Sequence, residues 1–276
     1  MIEVLKSIKY RHLIFGSIVT FIISLVCCKL LYVSSYMSAS ISVTLALYIF
    51  PTVLIFYKFS KFKISIKVWL KVVRFKIVEI FTSGIFSQVL GLGILFLLTA
   101  IITLIFPMDG QSDPINIPTN WVETFVSACI FAPFCEEIIF RGLIFNKLLV
   151  KYSPAKAIVI SSVIFGAMHL TKGITPAILG GVLCILYMKY KSLIPGMVIH
   201  CLNNFGIELL KYLTFGNSIA ESEVKQPGTL PVFIFSIICI IVGLLWLVNF
   251  IKKNWHYTTE FISENTMESE MTTFIR

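Results

Sequence analysis

Residues 80–106 read IFTSGIFSQVLGLGILFLLTAIITLIF, a run of 27 residues without a charged side chain. A helix of about 20 apolar residues crosses the hydrocarbon core of a bilayer. Seven further apolar segments lie near 12–34, 37–57, 121–148, 156–171, 174–188, 192–213 and 230–251. The chain is 57% hydrophobic and 13% charged, whereas soluble domains carry about 25% charged residues. The sequence therefore predicts an all-α, polytopic membrane bundle of about eight transmembrane segments.

The fifth and sixth segments, 156–171 and 174–188, are the shortest of the set. Each has only about 15 apolar residues, which is short for a helix that rises about 1.5 Å per residue. They are either full spans or a short helical hairpin that enters from the cytoplasmic side. Both alternatives place the later segments in the same orientation.

The cations lie in alternate loops. Lysine and arginine are concentrated in 6–11, 58–76, 147–156, 189–191 and 252–253. The loop at 107–120 has none, and the loop at 214–229 has a single lysine. Cationic loops stay in the cytoplasm, so the pattern predicts a multi-pass protein of the cell membrane with both termini cytoplasmic. The net charge of +9 is thereby explained without a nucleic-acid partner.

Three ionisable residues interrupt the fourth segment in the run FCEEIIFRG, 134–142. Such residues cost about 2.5–3.5 kcal/mol each within a span and mark functional sites. Glu137 and Arg141 are four residues apart, so they share a helix face and can pair. Glu136 points about 100° away from Glu137 and can meet a different neighbour. The alternative is that both glutamates only support helix packing through Arg141.

Two histidines lie in other apolar segments. His169 ends the run FGAMH, in which Phe165 shares its helix face. His200 shares a face with Asn204 in the seventh segment. A lone histidine in an apolar helix is usually a packing residue, but side chains this polar can satisfy one another by converging. The sequence therefore predicts that these residues gather with Glu136 at one site.

The motifs Glu-Glu-x-x-x-Arg (136–141), Phe-x-x-x-His (165–169) and His-x-x-x-Asn (200–204) occur in this order along the chain. In order and in the kinds of segment that carry them, they resemble the CPBP or Abi family. That family includes type II CAAX prenyl endopeptidases and bacteriocin-immunity proteins. The resemblance covers roughly residues 120–210 and implies an eight-helix intramembrane protease. The chain is accordingly divided into an N-terminal three-span region with a basic cytoplasmic loop (1–119), a CPBP-like catalytic core (120–213), and a last span with a polar cytoplasmic tail (214–276).

The resemblance implies an endopeptidase that cuts near the end of a lipidated or membrane-embedded peptide. Glu136 would act as general base on a water that His169 helps to hold. His200 and Asn204 would bind the oxyanion. Proteins of the family are often called metalloproteases, and a zinc ion held by Glu136, His169 and His200 is the alternative to a metal-free mechanism.

Glu137, Arg141 and Phe165 are expected to support this site. Glu137 and Arg141 would brace the helix or bind the carboxylate of a substrate, for which a guanidinium offers a planar fork. The partners expected are the lipid bilayer and a membrane-bound peptide or lipidated protein.

Two other functions compete with proteolysis. A non-catalytic membrane scaffold or bacteriocin self-immunity protein would keep its effect without Glu136. A transporter would use the buried Glu and His residues as a proton relay. The sequence argues against transport, because it lacks the repeated pair of broken helices typical of transporters.

Overall fold

The computed structural model describes residues 2–33, 35–106, 121–169, 173–213 and 229–264. Within these ranges 87% of the residues are helical and none lies in a strand. The predicted all-α membrane bundle is therefore confirmed. The loop predicted at 107–120, nearly all of that at 214–229 and the end of the polar tail lie outside the described residues.

The helices of the described residues follow one another in chain order. They are α1 (Ile2–Ser7), α2 (Tyr10–Leu30), α3 (35–61), α4 (Ile77–Ile105), α5 (121–149), α6 (Pro154–Ala167), α7 (Ile174–Tyr190), α8 (Ile194–Lys211), α9 (Thr229–Asn254) and α10 (256–264). A short 3-10 turn, Ile66–Val68, lies between α3 and α4.

The eight predicted apolar segments correspond to helices α2 to α9. Within the described residues, the helical stretches long and apolar enough to cross a membrane are Tyr10–Leu30, Ile41–Lys61, Ile77–Ile105 and Leu230–Glu264. Helices α6 and α7 have 14 and 17 residues. At about 1.5 Å per residue both are shorter than a hydrocarbon core of about 30 Å. Whether they form a shallow hairpin therefore stays a prediction.

Two of the helices contain π turns that precede a proline. In α3 the π turn Leu45–Ile49 comes before Pro51, and in α5 the π turn Ser127–Phe131 comes before Pro133. Proline has no N–H and its ring collides with the preceding turn, so the helix widens locally instead of continuing regularly. The proline in the middle of the fourth predicted segment thus reshapes α5 without ending it.

Helix α4 packs lengthwise against α9 and also contacts α7 and α8. Glycines allow the closest approach between α4 and α9. A Cβ atom at Gly243 would lie 2.8 Å from the Cα of Leu90, and one at Gly93 would lie 2.8 Å from the Cβ of Cys239. Small residues let membrane helices bring their backbones together, and this contact fixes one side of the bundle.

Helix α5 is surrounded by the largest apolar cluster. This cluster includes Val4 of α1, Phe59 of α3, Trp69 of the loop and Leu143 of α5. The indole of Trp69 lies so close to α5 that a Cβ at Gly142 would be 2.7 Å from it. The N-terminal region therefore holds in place the helix that carries both glutamates.

Candidate active site

Helix α5 presents its two adjacent glutamates in different directions, as the sequence predicts. Glu136 and Glu137 are both buried, with 4% and 1% of their surface exposed. Glu137 Oε1 accepts a hydrogen bond of 2.8 Å from Nη1 of Arg141, four residues later. Glu136 makes no ion pair with Arg141 in the described part of the chain and faces the histidines instead.

Arg141 lies fully inside the bundle, with 1% of its surface exposed. Its guanidinium stacks over the ring of Phe165 at 4.3 Å from the centroid. Through this contact Arg141 joins α5 to α6. Because the guanidinium is enclosed, its burial favours the bracing role over the binding of a substrate carboxylate.

Helix α8 brings His200 between the two glutamates. Its Nδ1 lies 3.2 Å from Oε1 of Glu137, and its Nε2 lies 3.6 Å from Oε2 of Glu136. A carboxylate accepts hydrogen bonds, so the proton of this contact belongs to Nδ1. Glu137 therefore orients the ring so that Nε2 faces Glu136.

His169 lies in the turn that follows α6, which ends at Ala167. Its Nδ1 is 2.8 Å from the carbonyl oxygen of Phe165, which only accepts, so Nδ1 carries the proton. Its Nε2 lies 3.7 Å from Oε2 of Glu136. The ring of Phe165 packs edge-on against both His169 and His200, with centroids 4.6 and 5.7 Å apart.

Oε2 of Glu136 thus faces the Nε2 atoms of two imidazoles, one from α8 and one from the turn after α6. This oxygen is buried and has no hydrogen-bond partner among the described residues. The side chain of His169 is 29% exposed, against 6% for Glu136 and 4% for His200. The cluster therefore opens outward past His169.

Asn204 hydrogen-bonds to the backbone of α5. Its Nδ2 donates a hydrogen bond of 2.7 Å to the carbonyl oxygen of Ala128. In the π turn of α5, the N–H of Ala132 bonds to the carbonyl of Ser127, and the next N–H in this pattern would come from Pro133. Because proline has no N–H, position 133 cannot donate to the carbonyl of Ala128, and the side chain of Asn204 donates to it instead. No hydrogen bond joins Asn204 to Glu136 or to either histidine in the described residues.

Sequence reasoning missed Tyr48 of α3, whose hydroxyl donates to Oε1 of Glu136 at 2.9 Å. The only signal was a phenol inside an apolar segment, which needs a polar partner when buried. Its sequence distance from Glu136 is 88 residues, so no local motif connects the two.

The nitrogen and oxygen ligands of the zinc alternative, Glu136, His169 and His200, are types that zinc accepts. Among the residues that the structure describes, however, no group of three or more His, Cys, Asp or Glu side chains could hold a metal ion. The donors as arranged therefore do not fit a zinc site.

The fold and the cluster define a polytopic membrane protein with a carboxylate and two imidazoles gathered inside its bundle. The family model described as type II CAAX prenyl endopeptidase Rce1-like matches residues 118–206. The resemblance to the CPBP family that the motifs indicate is confirmed over this segment, which contains Glu136, His169 and His200. The match supports an intramembrane protease and hence a hydrolase. Comparison with curated proteins and with solved structures finds no match.

Proposed function

We propose that this chain is an intramembrane endopeptidase that hydrolyses a peptide bond near the end of a lipidated or membrane-embedded peptide. The observation that carries the proposal is the approach of both histidine Nε2 atoms, at 3.6 and 3.7 Å, to the oxygen of Glu136 that has no hydrogen-bond partner within the described ranges. The three side chains come from separate elements. Gathering polar groups inside the bundle is costly unless they bind a polar partner, such as water or a peptide group.

Glu136 is the proposed general base. With Nδ1 protonated, a neutral His169 leaves a lone pair on Nε2, and Oε2 of Glu136 is also an acceptor. A water molecule is the donor that such a set of acceptors requires. Glu136 takes one of its protons, and the resulting hydroxide forms a C–O bond to the scissile carbonyl. The tetrahedral intermediate then breaks its C–N bond, and the proton held by Glu136 passes to the leaving amine.

His200 and Asn204 are the proposed oxyanion donors. His200 serves in this role when Nε2 is protonated as well as Nδ1. Asn204 uses its second amide hydrogen, since the first is bonded to Ala128. Each such donor is typically worth about 3–4 kcal/mol of transition-state stabilisation. Glu137, Arg141 and Phe165 hold the histidines and α5 in position.

The surroundings of His169 suit an apolar substrate. A groove of about 500 Å³ lies between α4, α6 and α7, with mainly apolar walls that include Gly166, Ala167 and Ile174. Gly166 and Ala167 immediately precede the exposed turn of His169. We expect the apolar part of a membrane-bound peptide, or its lipid, to occupy this groove.

The proposal is tested by replacing Glu136 with glutamine, which keeps the size of the side chain and removes the base. Membranes with wild-type or Glu136→Gln protein at equal amounts are compared by mass spectrometry of their peptides. We expect wild-type-specific products whose formation falls about 10²- to 10⁴-fold in the variant, the usual worth of a general base. Glu264→Gln, at an exposed position of α10, should leave the products unchanged.

Identical peptide pools for wild type and Glu136→Gln would contradict proteolysis and favour a scaffold or immunity protein. Substrate flux or proton uptake in vesicles without any cleaved product would favour transport. A metal chelator added to the purified protein addresses the zinc alternative. The metal-free mechanism predicts an unchanged rate, and loss of activity that zinc restores would contradict it.

A further inference from the structure

Tyr48 lies outside the segment of residues 118–206 that matches the family model, yet it contacts the carboxylate at the centre of the cluster. Its hydroxyl donates to Oε1 of Glu136 over 2.9 Å. Its ring packs edge-on against Phe131 of α5, with centroids 6.4 Å apart. The contact therefore joins the N-terminal region to the proposed catalytic core at Glu136, the proposed general base.

The local structure of α3 directs Tyr48 to this position. Tyr48 belongs to the π turn Leu45–Ile49, which precedes Pro51. A π turn adds a residue to one turn of the helix and changes the direction of the side chains around it. Single π turns of this kind occur frequently at functional sites, and here the turn places a phenol opposite Glu136.

The two oxygens of Glu136 have separate surroundings. Oε1 accepts from Tyr48, whereas Oε2 has no hydrogen-bond partner among the described residues and faces the Nε2 atoms of His169 and His200. The terminal torsion of a glutamate is broad and roughly two-fold, so burial alone does not fix the plane of the carboxylate. A hydrogen bond to Oε1 fixes it and keeps Oε2 directed at the histidines.

We propose that Tyr48 is a positioning residue that holds Glu136 with Oε2 free to accept the proton of the attacking water. This inference rests on the proposed endopeptidase function. Because Tyr48 acts through Glu136 and does not touch the substrate, its loss should lower kcat and leave KM unchanged. If the phenol only filled space between α3 and α5, its loss would affect folding and would not lower kcat at unchanged KM.

The test uses the full-length protein in vesicles and an internally quenched peptide that ends in a prenylated CAAX sequence. Tyr48→Phe removes only the hydroxyl, so the ring still packs against Phe131. We expect a roughly 10- to 100-fold lower kcat, in line with a hydrogen bond to a charged group, with KM within about two-fold of wild type. Tyr57→Phe is the matched control, because Tyr57 lies on the same helix and is 58% exposed. It should behave as wild type.

A conservative replacement separates positioning from packing. 3-Fluorotyrosine at position 48 keeps the hydroxyl and should restore most of the activity that phenylalanine loses. Wild-type kinetics in Tyr48→Phe, alongside an inactive Glu136→Gln, would overturn this inference and leave the proposed function standing. Failure of 3-fluorotyrosine to restore kcat would overturn it as well. If wild type and Glu136→Gln cleave the peptide at the same rate, the proposed function fails first, and the role of Tyr48 fails with it.

Discussion

Glu136 and Glu137 are neighbours in sequence with separate tasks. Glu137 is bonded to Arg141 and to Nδ1 of His200. Glu136 is bonded to Tyr48 and leaves its second oxygen toward the two histidines. An ion pair compensates the burial of Glu137 and Arg141, whereas Glu136 pairs with no lysine or arginine in the described part of the chain. Of the two carboxylates, the one that no arginine compensates is the one proposed to react.

At the residue scale, the Glu137–Arg141 pair is predicted to matter for stability and for activity in different ways. Arg141→Ala leaves a buried carboxylate without its partner and should lower the free energy of unfolding by about 3–5 kcal/mol. The double variant Glu137→Leu/Arg141→Leu removes both charges and should recover most of this loss. It should stay poorly active, because the N–H at Nδ1 of His200 no longer has Glu137 as its acceptor. Unfolding in detergent and the peptide assay measure the two effects.

Glu264→Ala serves as the control for this experiment. Glu264 pairs with Lys191, and their side chains are 53% and 45% exposed. Exposed pairs contribute about 0–1 kcal/mol, so little change in unfolding is expected. A double variant at 137 and 141 that is no more stable than Arg141→Ala would contradict the argument from buried charge.

At the scale of helices, departures from regular geometry form the cluster. Pro133 leaves the carbonyl of Ala128 open for Asn204, and the π turn before Pro51 carries Tyr48. Carbonyls without a partner are costly in a bilayer, so the bond from Asn204 to Ala128 both satisfies this carbonyl and links α8 to α5. The irregular turns therefore determine which helix faces meet.

Close packing of α4 against α9 depends on glycine. Gly243→Ala gains about 1 kcal/mol in helix propensity, but its Cβ would lie 2.8 Å from the Cα of Leu90, which is backbone and cannot rotate away. We expect a net loss of about 1–3 kcal/mol, as for other overpacked sites, measured as thermal unfolding in detergent. Gly206→Ala in α8, where a Cβ meets nothing within 4 Å, should unfold at the same temperature or higher. Equal stability of the two variants would show that α4 and α9 do not approach this closely.

At the scale of the whole molecule, polar contacts tie together the helix ends that the sequence predicts to be cytoplasmic. Lys189, near the end of α7, binds Glu79 of α4 at 2.5 and 2.7 Å and Asn254 at the end of α9 at 2.8 Å. Lys147, near the end of α5, donates to the carbonyl oxygens of Leu5 in α1 and of Ile8, which follows α1. The lysines that the positive-inside rule predicts for this face thus also join the helices.

The predicted topology is testable with epitope tags placed after Arg276 and at Gln111. Both termini are expected in the cytoplasm and the loop at 107–120 outside, because cationic loops stay on the cytoplasmic side. In right-side-out vesicles a protease should remove the tag at Gln111 and spare the tag after Arg276. Inverted vesicles should give the opposite result. Removal of both tags from the same side would refute the alternation.

The sequence predicted the helices and the convergence of the ionisable residues, but not every contact. The pairing of Glu137 with Arg141 follows from their spacing within one helix. The approach of His169 and His200 to Glu136 follows from the cost of leaving each in lipid. The hydrogen bonds from Tyr48 to Glu136 and from Asn204 to Ala128 depend on how far each helix is rotated and shifted. No rule of residue spacing predicts these rotations and shifts.

The sequence by itself determined that this protein is a bundle of apolar helices and which side chains are too polar for lipid, since hydropathy and helix-face spacing act locally along the chain. Only the tertiary structure decided which oxygen of Glu136 meets the histidines, which residue holds the other oxygen, and what Asn204 bonds. These contacts join residues far apart in sequence, so they are set by the packing of whole helices and by the π turns that change where their side chains point.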